Sequence, residues 1–304
     1  MTTTTYRTID IETTGLDPAV NEICEIGWRD GVVEGSNLTL GPWYEATFVQ
    51  INGAMPLEAT AVHHIMAGDL DIAPTRSHAV NRVAGADLYV AHNAAFEQSF
   101  LPELAEADWL CTYRCALRLF DDAPGYSVQM LRYYLGVALS RDERETLMPH
   151  RAGPDAYVTA FILKALLRAA PMTELARLSS LPPLLKSFRF GKHKDEPIAD
   201  VPMSYFDFIR TEGTFDEEVR HTVAVEIARR AGGDHELYFD LAAQALEMAG
   251  DRASLDDWWK AEADNRAKHQ VVKATPLYDR LVDLCKRKAA TFPCVAAGAL
   301  REAA

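Results

Sequence analysis

The 304-residue chain lacks several features that mark particular classes of protein. No apolar run is long enough to span a bilayer, so we expect no membrane partner. The amino terminus, MTTTTYRTID, lacks the apolar core of a secretory signal peptide. Among the five cysteines, the closest pair, Cys111 and Cys115, does not have the spacing of a zinc site. These features predict reduced thiols and a cytoplasmic location.

Positive charge is also scarce. The chain has 31 Lys and Arg against 44 Asp and Glu, a net charge of −13. Residues 1–170 carry 12 bases and 22 acids, so most of the excess, −10, belongs to this part. Such a surface repels phosphate backbones at long range, and a nucleic-acid partner therefore requires a metal site or a basic patch.

The pattern of the chain changes after about residue 172, and there are no internal repeats. Residues 6–12, 22–33, 43–51 and 87–93 are rich in strand formers, whereas 94–107, 127–136 and 153–170 have helical patterns. This order predicts an α/β fold, a mixed sheet flanked by helices, over residues 1–172. Residues 173–185 are expected to be a linker, and a mostly helical C-terminal region follows.

Two acids, Asp10 and Glu12, lie inside the first predicted strand. A strand repeats every two residues, so both side chains point to one face. Neighbouring carboxylates repel each other unless a cation lies between them, and a hard divalent ion such as Mg²⁺ takes oxygen ligands. A solvated pair at a strand end is the alternative for this motif taken alone.

Further polar residues follow at positions that suit a site. Glu97 comes shortly after the strand of residues 87–93, and His150 precedes the helix that contains Asp155. Asp155 heads an apolar face that includes Val158 and Ile162, so it is expected to lie next to the sheet. The alternative for Asp155 is an acid favoured by the helix dipole.

Together these residues form the order D-x-E, H-N-x-x-F-acid, H-x-x-x-x-D. Over about residues 6–170 this order resembles the DEDDh branch of the DnaQ-like 3′–5′ exonucleases, which have a ribonuclease-H-like fold. The resemblance implies two Mg²⁺ or Mn²⁺ ions held by Asp10, Glu12, Glu97 and Asp155, with Asp10 bridging. It implies that His150 is the general base, and histidine suits proton transfer near neutral pH.

Some positions depart from the family pattern. The family usually has Asp where this chain has Glu97, and the longer arm is expected to affect the second ion and the choice between Mg²⁺ and Mn²⁺. By resemblance, the residues that contact the 3′-terminal nucleotide are Thr13, Thr14, Leu16, His63, Asn93 and Phe96. Phe96 has packing as its alternative. His64 replaces a family glycine, which either narrows the pocket or alters a turn.

Residues 186–231 resemble the small C-terminal module of exodeoxyribonuclease X-like proteins, while 232–304 resemble no family and have no assigned role. In the module Lys186, Arg189, Lys192 and Lys194 alternate with Phe188 and Phe190. Cations and rings suit a single strand. The alternative is a solvated basic loop.

The combined prediction is a metal-dependent 3′–5′ exonuclease that releases nucleoside 5′-monophosphates from DNA 3′ ends, on single strands or frayed ends. An exoribonuclease of the same superfamily is the first alternative, because recognition of the 2′-hydroxyl group depends on contacts that the motifs do not specify. A catalytically silent nucleic-acid-binding or polymerase-associated subunit is the second.

Overall fold

The computed structural model describes residues 3–34, 37–212 and 214–292. The chain divides into two compact units, Met1–Leu181 and Pro182–Ala304. In the described residues, the first unit contains the strands β1 (Thr3–Thr13), β2 (Ile23–Glu34), β3 (Asn37–Leu40), β4 (Glu45–Phe48), β5 (Leu88–Ala91) and β6 (Asp108–Cys111).

Eight α-helices of the described residues belong to the first unit: α1 (Leu57–His63), α2 (Arg76–Val83), α3 (Ala95–Phe100), α4 (Thr112–Leu119), α5 (Val128–Tyr134), α6 (Arg141–Thr146), α7 (Ala152–Ala169) and α8 (Met172–Ser180). The second unit contains α9 (Met203–Glu212), α10 (Glu217–Arg230), α11 (His235–Glu247), α12 (Arg252–Ala261), α13 (Ala263–Lys268) and α14 (Pro276–Thr291). Short 3₁₀ helices occupy Ala67–Leu70, Pro102–Leu104 and Ile198–Asp200.

The strands form one mixed sheet in the order β3-β2-β1-β5-β6, with β4 also paired to β2. β1 and β2 are antiparallel, whereas β5 and β6 continue the sheet in parallel with β1. The face of β1 that carries Ile9 and Ile11 packs with α2 and with the segment around Phe100. The other face receives α7, so β1 is covered on both sides. The predicted mixed sheet flanked by helices is confirmed.

The segment expected to be a linker contains α8, which belongs to the first unit. Leu175 and Leu178 of α8 are buried, and the Ser179 hydroxyl accepts a hydrogen bond from the Cys111 N–H at 2.7 Å. These contacts hold α8 to the end of β6. Pro182 and Pro183, which lie in the segment expected to be a linker, follow this helix.

The described residues of the second unit form two apolar clusters. One is built around Phe188, Phe206 and Ile227, and the other around Leu246 and Leu281. Cys24, Cys111 and Cys115 are buried free thiols and Cys285 is a half-buried one, while Cys294 lies outside the described residues. Among the described residues, no helix is both long and apolar enough to cross a membrane.

Candidate active site

Three carboxylates meet between β1 and α7. The Thr8 hydroxyl donates to the Ala156 carbonyl of α7 at 2.9 Å, which identifies the face of β1 that α7 covers. Asp10 and Glu12 belong to the same face because side chains alternate along a strand. One oxygen from each of Asp10, Glu12 and Asp155 lies within 4.8 Å of the others. The predicted convergence of these acids is therefore present in the structure.

Two glycines permit this close approach. Gly27 lies opposite Asp10 in the β1–β2 register, and a Cβ there would be 2.0 Å from the Gly153 backbone nitrogen. A Cβ at Gly153 would be 2.3 Å from Tyr44 Cδ2. The contact at Gly27 is with backbone, so the first turn of α7 can lie this close to β2 only with glycine at position 27, whereas a side chain at position 153 would displace the Tyr44 ring. Asp155, two residues further along α7, is thereby brought to Asp10.

Glu97, on α3, is not one of the three acids whose oxygens lie within 4.8 Å of one another, but its charge interacts with those of Asp10 and Glu12. Its side chain is 3 % exposed, and its Oε2 atom has no hydrogen-bond partner among the described residues. Burial raises the pKa of Glu97 to about 8, and the charge of Glu12 contributes to the increase. A buried carboxylate oxygen without a donor is costly, so this position fits a cation supplied from outside the chain.

The other three acids are perturbed in the same direction. Burial raises the pKa of Asp10 well above its usual value, and the charges of Asp155 and Glu12 add to the effect. Burial, followed by the charges of Asp155 and Glu25, raises the pKa of Glu12 to about 8. Burial also raises the pKa of Asp155. Oxygen-rich sites suit hard divalent ions, so this set of ligands fits Mg²⁺ or Mn²⁺.

The Asp155 carboxylate accepts two hydrogen bonds that fix its orientation. The His150 backbone N–H donates to Oδ2 at 2.8 Å, and the Gln129 Nε2 group donates to Oδ1 at 3.1 Å. Gln129 lies on α5, in a segment that the sequence identified as helical. Gln129 was not predicted as a site residue, because a glutamine on an amphipathic helix carries no signal of its own.

A buried ion pair lies beside the cluster and was also missed. Glu25 is opposite Glu12 in the β1–β2 register and is 3 % exposed. It accepts hydrogen bonds from Arg151 at 2.6 and 3.0 Å and from the Ala152 N–H at 3.0 Å. This bidentate pair ties the start of α7 to β2, directly after His150. The sequence signal that could have identified Glu25 is its position as an acid within the apolar run EICEIG.

His150 lies in the loop before α7. Its backbone is left-handed, with φ 58°, and its imidazole is exposed. The interaction with His150 lowers the pKa of Asp155, which partly offsets the effect of burial. The exposed ring of His150 is therefore held near the carboxylates by a short backbone connection.

The turn after β1 is held by its own threonines. The Thr13 hydroxyl donates to the Gly15 carbonyl at 2.6 Å, and the Thr14 hydroxyl accepts from the Glu22 N–H at 2.9 Å. Leu16, at the tip of the turn, is 84 % exposed. The structure thus uses Thr13 and Thr14 to shape the turn and presents Leu16 to solvent.

His63 and His64 have different positions at the end of α1. His63 is 1 % exposed, and its Nδ1 accepts the Ile65 N–H at 3.0 Å. Burial lowers the pKa of His63. His64 is exposed and left-handed, with φ 60°. Glycine adopts this conformation most readily, which agrees with the glycine of the family pattern, and both alternatives for His64, a narrower pocket or an altered turn, stay predictions.

Asn93 and Phe96 surround the start of α3. Asn93 is exposed and left-handed, with φ 77°, and its carbonyl accepts the Phe96 N–H at 2.8 Å. The Phe96 ring is half-buried, and its centroid lies 5.0 Å from that of Phe100. In this structure Phe96 packs against the core, in agreement with its packing alternative.

A family model described as Exonuclease matches residues 8–163, half of the chain, which include the second half of β1, the four carboxylates and His150. The chain belongs to this exonuclease family. The resemblance to DnaQ-like exonucleases is thereby confirmed.

Two curated relatives of this exonuclease match parts of the chain. Exodeoxyribonuclease 10 of Escherichia coli K12 is 29 % identical over 197 residues, which cover 64 % of this chain and 84 % of the relative. The PolC-type DNA polymerase III of Clostridium perfringens is 28 % identical over 172 residues, 52 % of this chain and 11 % of the relative. A solved structure of Exonuclease X with 5′ overhanging duplex DNA is 27 % identical, with a TM-score of 0.46, and covers 58 % of this chain and 99 % of its own.

The second unit lies beyond the residues of the exonuclease match. Arg189, Lys192 and Lys194 are exposed there, whereas Lys186 is half-buried and makes an interaction within the chain. Phe188 is fully buried in the first apolar cluster of this unit, and Phe190 packs against that cluster. The cations of this segment therefore face solvent, while its aromatic rings form core.

Proposed function

We propose that this exonuclease hydrolyses DNA from the 3′ end with two divalent ions, Mg²⁺ or Mn²⁺, at Asp10, Glu12, Glu97 and Asp155. The main support is the cluster itself. Three acids bring oxygens within 4.8 Å of one another, and Glu97 adds a buried oxygen without a donor. The similarity to Exodeoxyribonuclease 10, whose name refers to DNA, supports DNA as the substrate.

The roles of the chain's own groups follow from their chemistry. When bound, the two ions lower the pKa of water and stabilise negative charge on the leaving oxygen. The exposed imidazole of His150 accepts the proton of the attacking water. Leu16 at the tip of its turn contacts the terminal base, with Thr13 and Thr14 fixing the position of Leu16. His63, Asn93 and Phe96 shape the surrounding pocket.

The second unit would hold the rest of a single strand. Its exposed Arg189, Lys192 and Lys194 contact phosphates and offset the acidic surface of the first unit. The proposed boundaries are an exonuclease domain that includes α8 and ends at about residue 181, a short connection over 182–185, a strand-holding module over 186–231 and a helical region over 232–304.

Oligonucleotides labelled at the 3′ or the 5′ end test the reaction. Single-stranded DNA, duplex DNA and RNA are each incubated with Mg²⁺, Mn²⁺ or EDTA. We expect early release of the 3′ label as a nucleoside 5′-monophosphate, with DNA degraded faster than RNA and no reaction in EDTA. Release of the 5′ label first would contradict the polarity, and faster degradation of RNA would favour the exoribonuclease.

The His150→Ala variant tests the general base. We expect a loss of about 10²- to 10⁴-fold in rate with Mn²⁺ binding retained, because the imidazole is not a proposed ligand. His78, an exposed histidine of α2, provides the matched control, and His78→Ala should keep wild-type rates. Loss of Mn²⁺ binding in His150→Ala would make His150 a ligand or a structural residue.

A triple variant tests the strand-holding module in the full chain. Substitution of Arg189, Lys192 and Lys194 by Gln should weaken single-strand binding and reduce the slope of log affinity against log salt by about 2, at about 0.7 per phosphate contact. The matched control replaces Arg252, Lys260 and Lys268, exposed cations of α12 and α13, by Gln. Equal salt slopes in the two triple variants would remove the module from the binding surface.

A further inference from the structure

Arg132 is a buried cation without a carboxylate partner among the described residues. It lies on α5 and is 4 % exposed. Within residues 3–34, 37–212 and 214–292 it makes no ion pair, and its Nε group donates no hydrogen bond. The Tyr133 ring, whose centroid lies 5.0 Å from Arg132 Cζ, is an exposed neighbour of the guanidinium. Burying a guanidinium without a carboxylate is costly, and this one contact offsets only part of the cost.

The Arg132 side chain does make one hydrogen bond, to Gln129. Its Nη1 group donates to Gln129 Oε1 at 3.1 Å, one helical turn away along α5. The other end of the same amide, Gln129 Nε2, donates to Asp155 Oδ1 at 3.1 Å. A guanidinium can only donate hydrogen bonds and an ionised carboxylate can only accept them. Arg132 therefore dictates which end of the amide faces Asp155.

The consequence concerns the proposed metal ligand. With Oε1 held by Arg132, the Gln129 amide presents a donor to Asp155, whereas a flipped amide would present an oxygen to the carboxylate. The His150 N–H holds the other Asp155 oxygen at 2.8 Å. Each oxygen of Asp155 then keeps a lone pair for a metal ion, in a fixed orientation.

We infer that Gln129 and Arg132 are positioning residues that orient Asp155 for metal binding, with Arg132 acting through the Gln129 amide. The inference rests on the proposed function, because it assumes that Asp155 is a metal ligand. Residues that hold a metal ligand commonly contribute about 10- to 100-fold to metal affinity.

Mn²⁺ binding, measured by calorimetry and by electron paramagnetic resonance without DNA, tests the inference independently of nuclease activity. Gln129→Met removes the donor while keeping the size of the side chain, and we expect about 10-fold weaker Mn²⁺ binding or more. Arg132→Met should weaken binding in the same direction and by no more than Gln129→Met. The double variant should be no worse than Gln129→Met, because Arg132 acts only through Gln129.

Arg114 provides the matched control. It is a half-buried arginine of α4 whose Nε also lacks a hydrogen-bond partner, and its Nη1 donates to the Ser179 carbonyl at 3.2 Å. Arg114→Met should change the melting temperature but leave Mn²⁺ affinity unchanged. Gln129→Met tests the contact to Asp155 even if Arg132→Met is unstable, because Gln129 is only half-buried.

Several results would overturn the inference. If the wild type binds Mn²⁺ and Gln129→Met binds it equally tightly, the inference is overturned while the proposed metal centre stands. Additive losses in the double variant would show that Arg132 acts independently of Gln129. An equal loss in Arg114→Met would indicate general loosening of the fold. No Mn²⁺ binding by the wild type would overturn the metal centre and the inference with it.

Discussion

Buried acids in the two units have opposite electrostatic surroundings. In the first unit, Asp10, Glu12 and Glu97 have pKa values raised by burial and by their mutual repulsion. In the second unit, Glu226 of α10 is also buried but accepts hydrogen bonds from Arg229 and Arg230, each at 2.7 Å. These arginines lower the pKa of Glu226 against the opposing effect of burial.

This difference distinguishes buried acids that stabilise the fold through ion pairs from buried acids whose charges require a bound ligand. The charge of Glu226 is balanced by its own helix, so its ion pairs are complete when the chain folds. Among the described residues of the first unit, the cluster has no equivalent cation apart from Arg151, which is bonded to Glu25. The folded first unit therefore carries unfavourable repulsion that a divalent ion would relieve.

The largest expected effect comes from removing the central charge of the cluster. Asp10→Asn should reduce nuclease activity by about 10³-fold or more, equivalent to several kcal/mol of barrier. In EDTA the same variant should melt at a higher temperature than the wild type, because one repelling charge is gone. Asp71→Asn, at an exposed acid, should change neither property. Wild-type activity in purified Asp10→Asn would contradict the two-metal proposal.

A decrease in pH from about 8 to about 5 should stabilise the metal-free protein. Glu12 and Glu97 have pKa values of about 8 when folded, against an ordinary 4.5. Between these values the folded state binds protons that the unfolded state has lost, so stability falls by a few kcal/mol as pH rises from about 5 to 8. This contribution is complete below about pH 4.5 and lost above about pH 8.

Chemical denaturation in EDTA measures this slope. His92, whose pKa burial lowers to about 4, acts in the opposite direction below about pH 6.5. Both the wild type and Glu97→Gln contain His92, so its contribution cancels in the difference between their free energies of unfolding. This difference should be largest near pH 8. A difference that does not depend on pH would mean that Glu97 is not protonated in the folded state.

Two substitutions at Glu97 test the charge of its side chain and its length, which exceeds that of the family's Asp by one methylene group. Glu97→Gln keeps the shape and loses the charge, so activity should fall by about 10- to 100-fold, as for other groups that support a metal site. Glu97→Asp should stay active, with a changed ratio of Mg²⁺ to Mn²⁺ rates. Glu103, an exposed acid of the neighbouring 3₁₀ helix, is the control, and Glu103→Gln should be silent. Wild-type rates for Glu97→Gln in both metals would leave a three-carboxylate centre.

The smallest effect is expected in the second unit. Glu226→Gln should lower the melting temperature by about 2 to 4 °C, the change expected for loss of about 1 kcal/mol. Activity on short oligonucleotides should be unchanged, and EDTA should not alter the size of the decrease. If Glu226→Gln were instead stabilising, as expected for Asp10→Asn in EDTA, the distinction between paired and unpaired acids would fail.

Local patterns of the sequence predicted much of the fold and part of the site. Strand alternation placed Asp10 and Glu12 on one face, and helical periodicity placed Asp155 on the face of α7 that packs against the sheet. Both properties depend on the geometry of a single element, which a short window of sequence contains. The mostly helical character of the C-terminal region was predicted for the same reason. Pro102 divided one predicted helix into α3 and a 3₁₀ turn, because its ring blocks helical continuation.

Contacts between distant segments were decided only by the tertiary structure. The short strand β6 and the helix α8 pack against elements far away in the sequence, and neither has a strong pattern of its own. Gly27 and Gly153 show their importance only where α7 meets β2. The bonds from Gln129 to Asp155 and from Arg151 to Glu25 join residues 26 and 126 positions apart. No local periodicity predicts such pairs, because their energy depends on side chains that become neighbours only after the chain has folded.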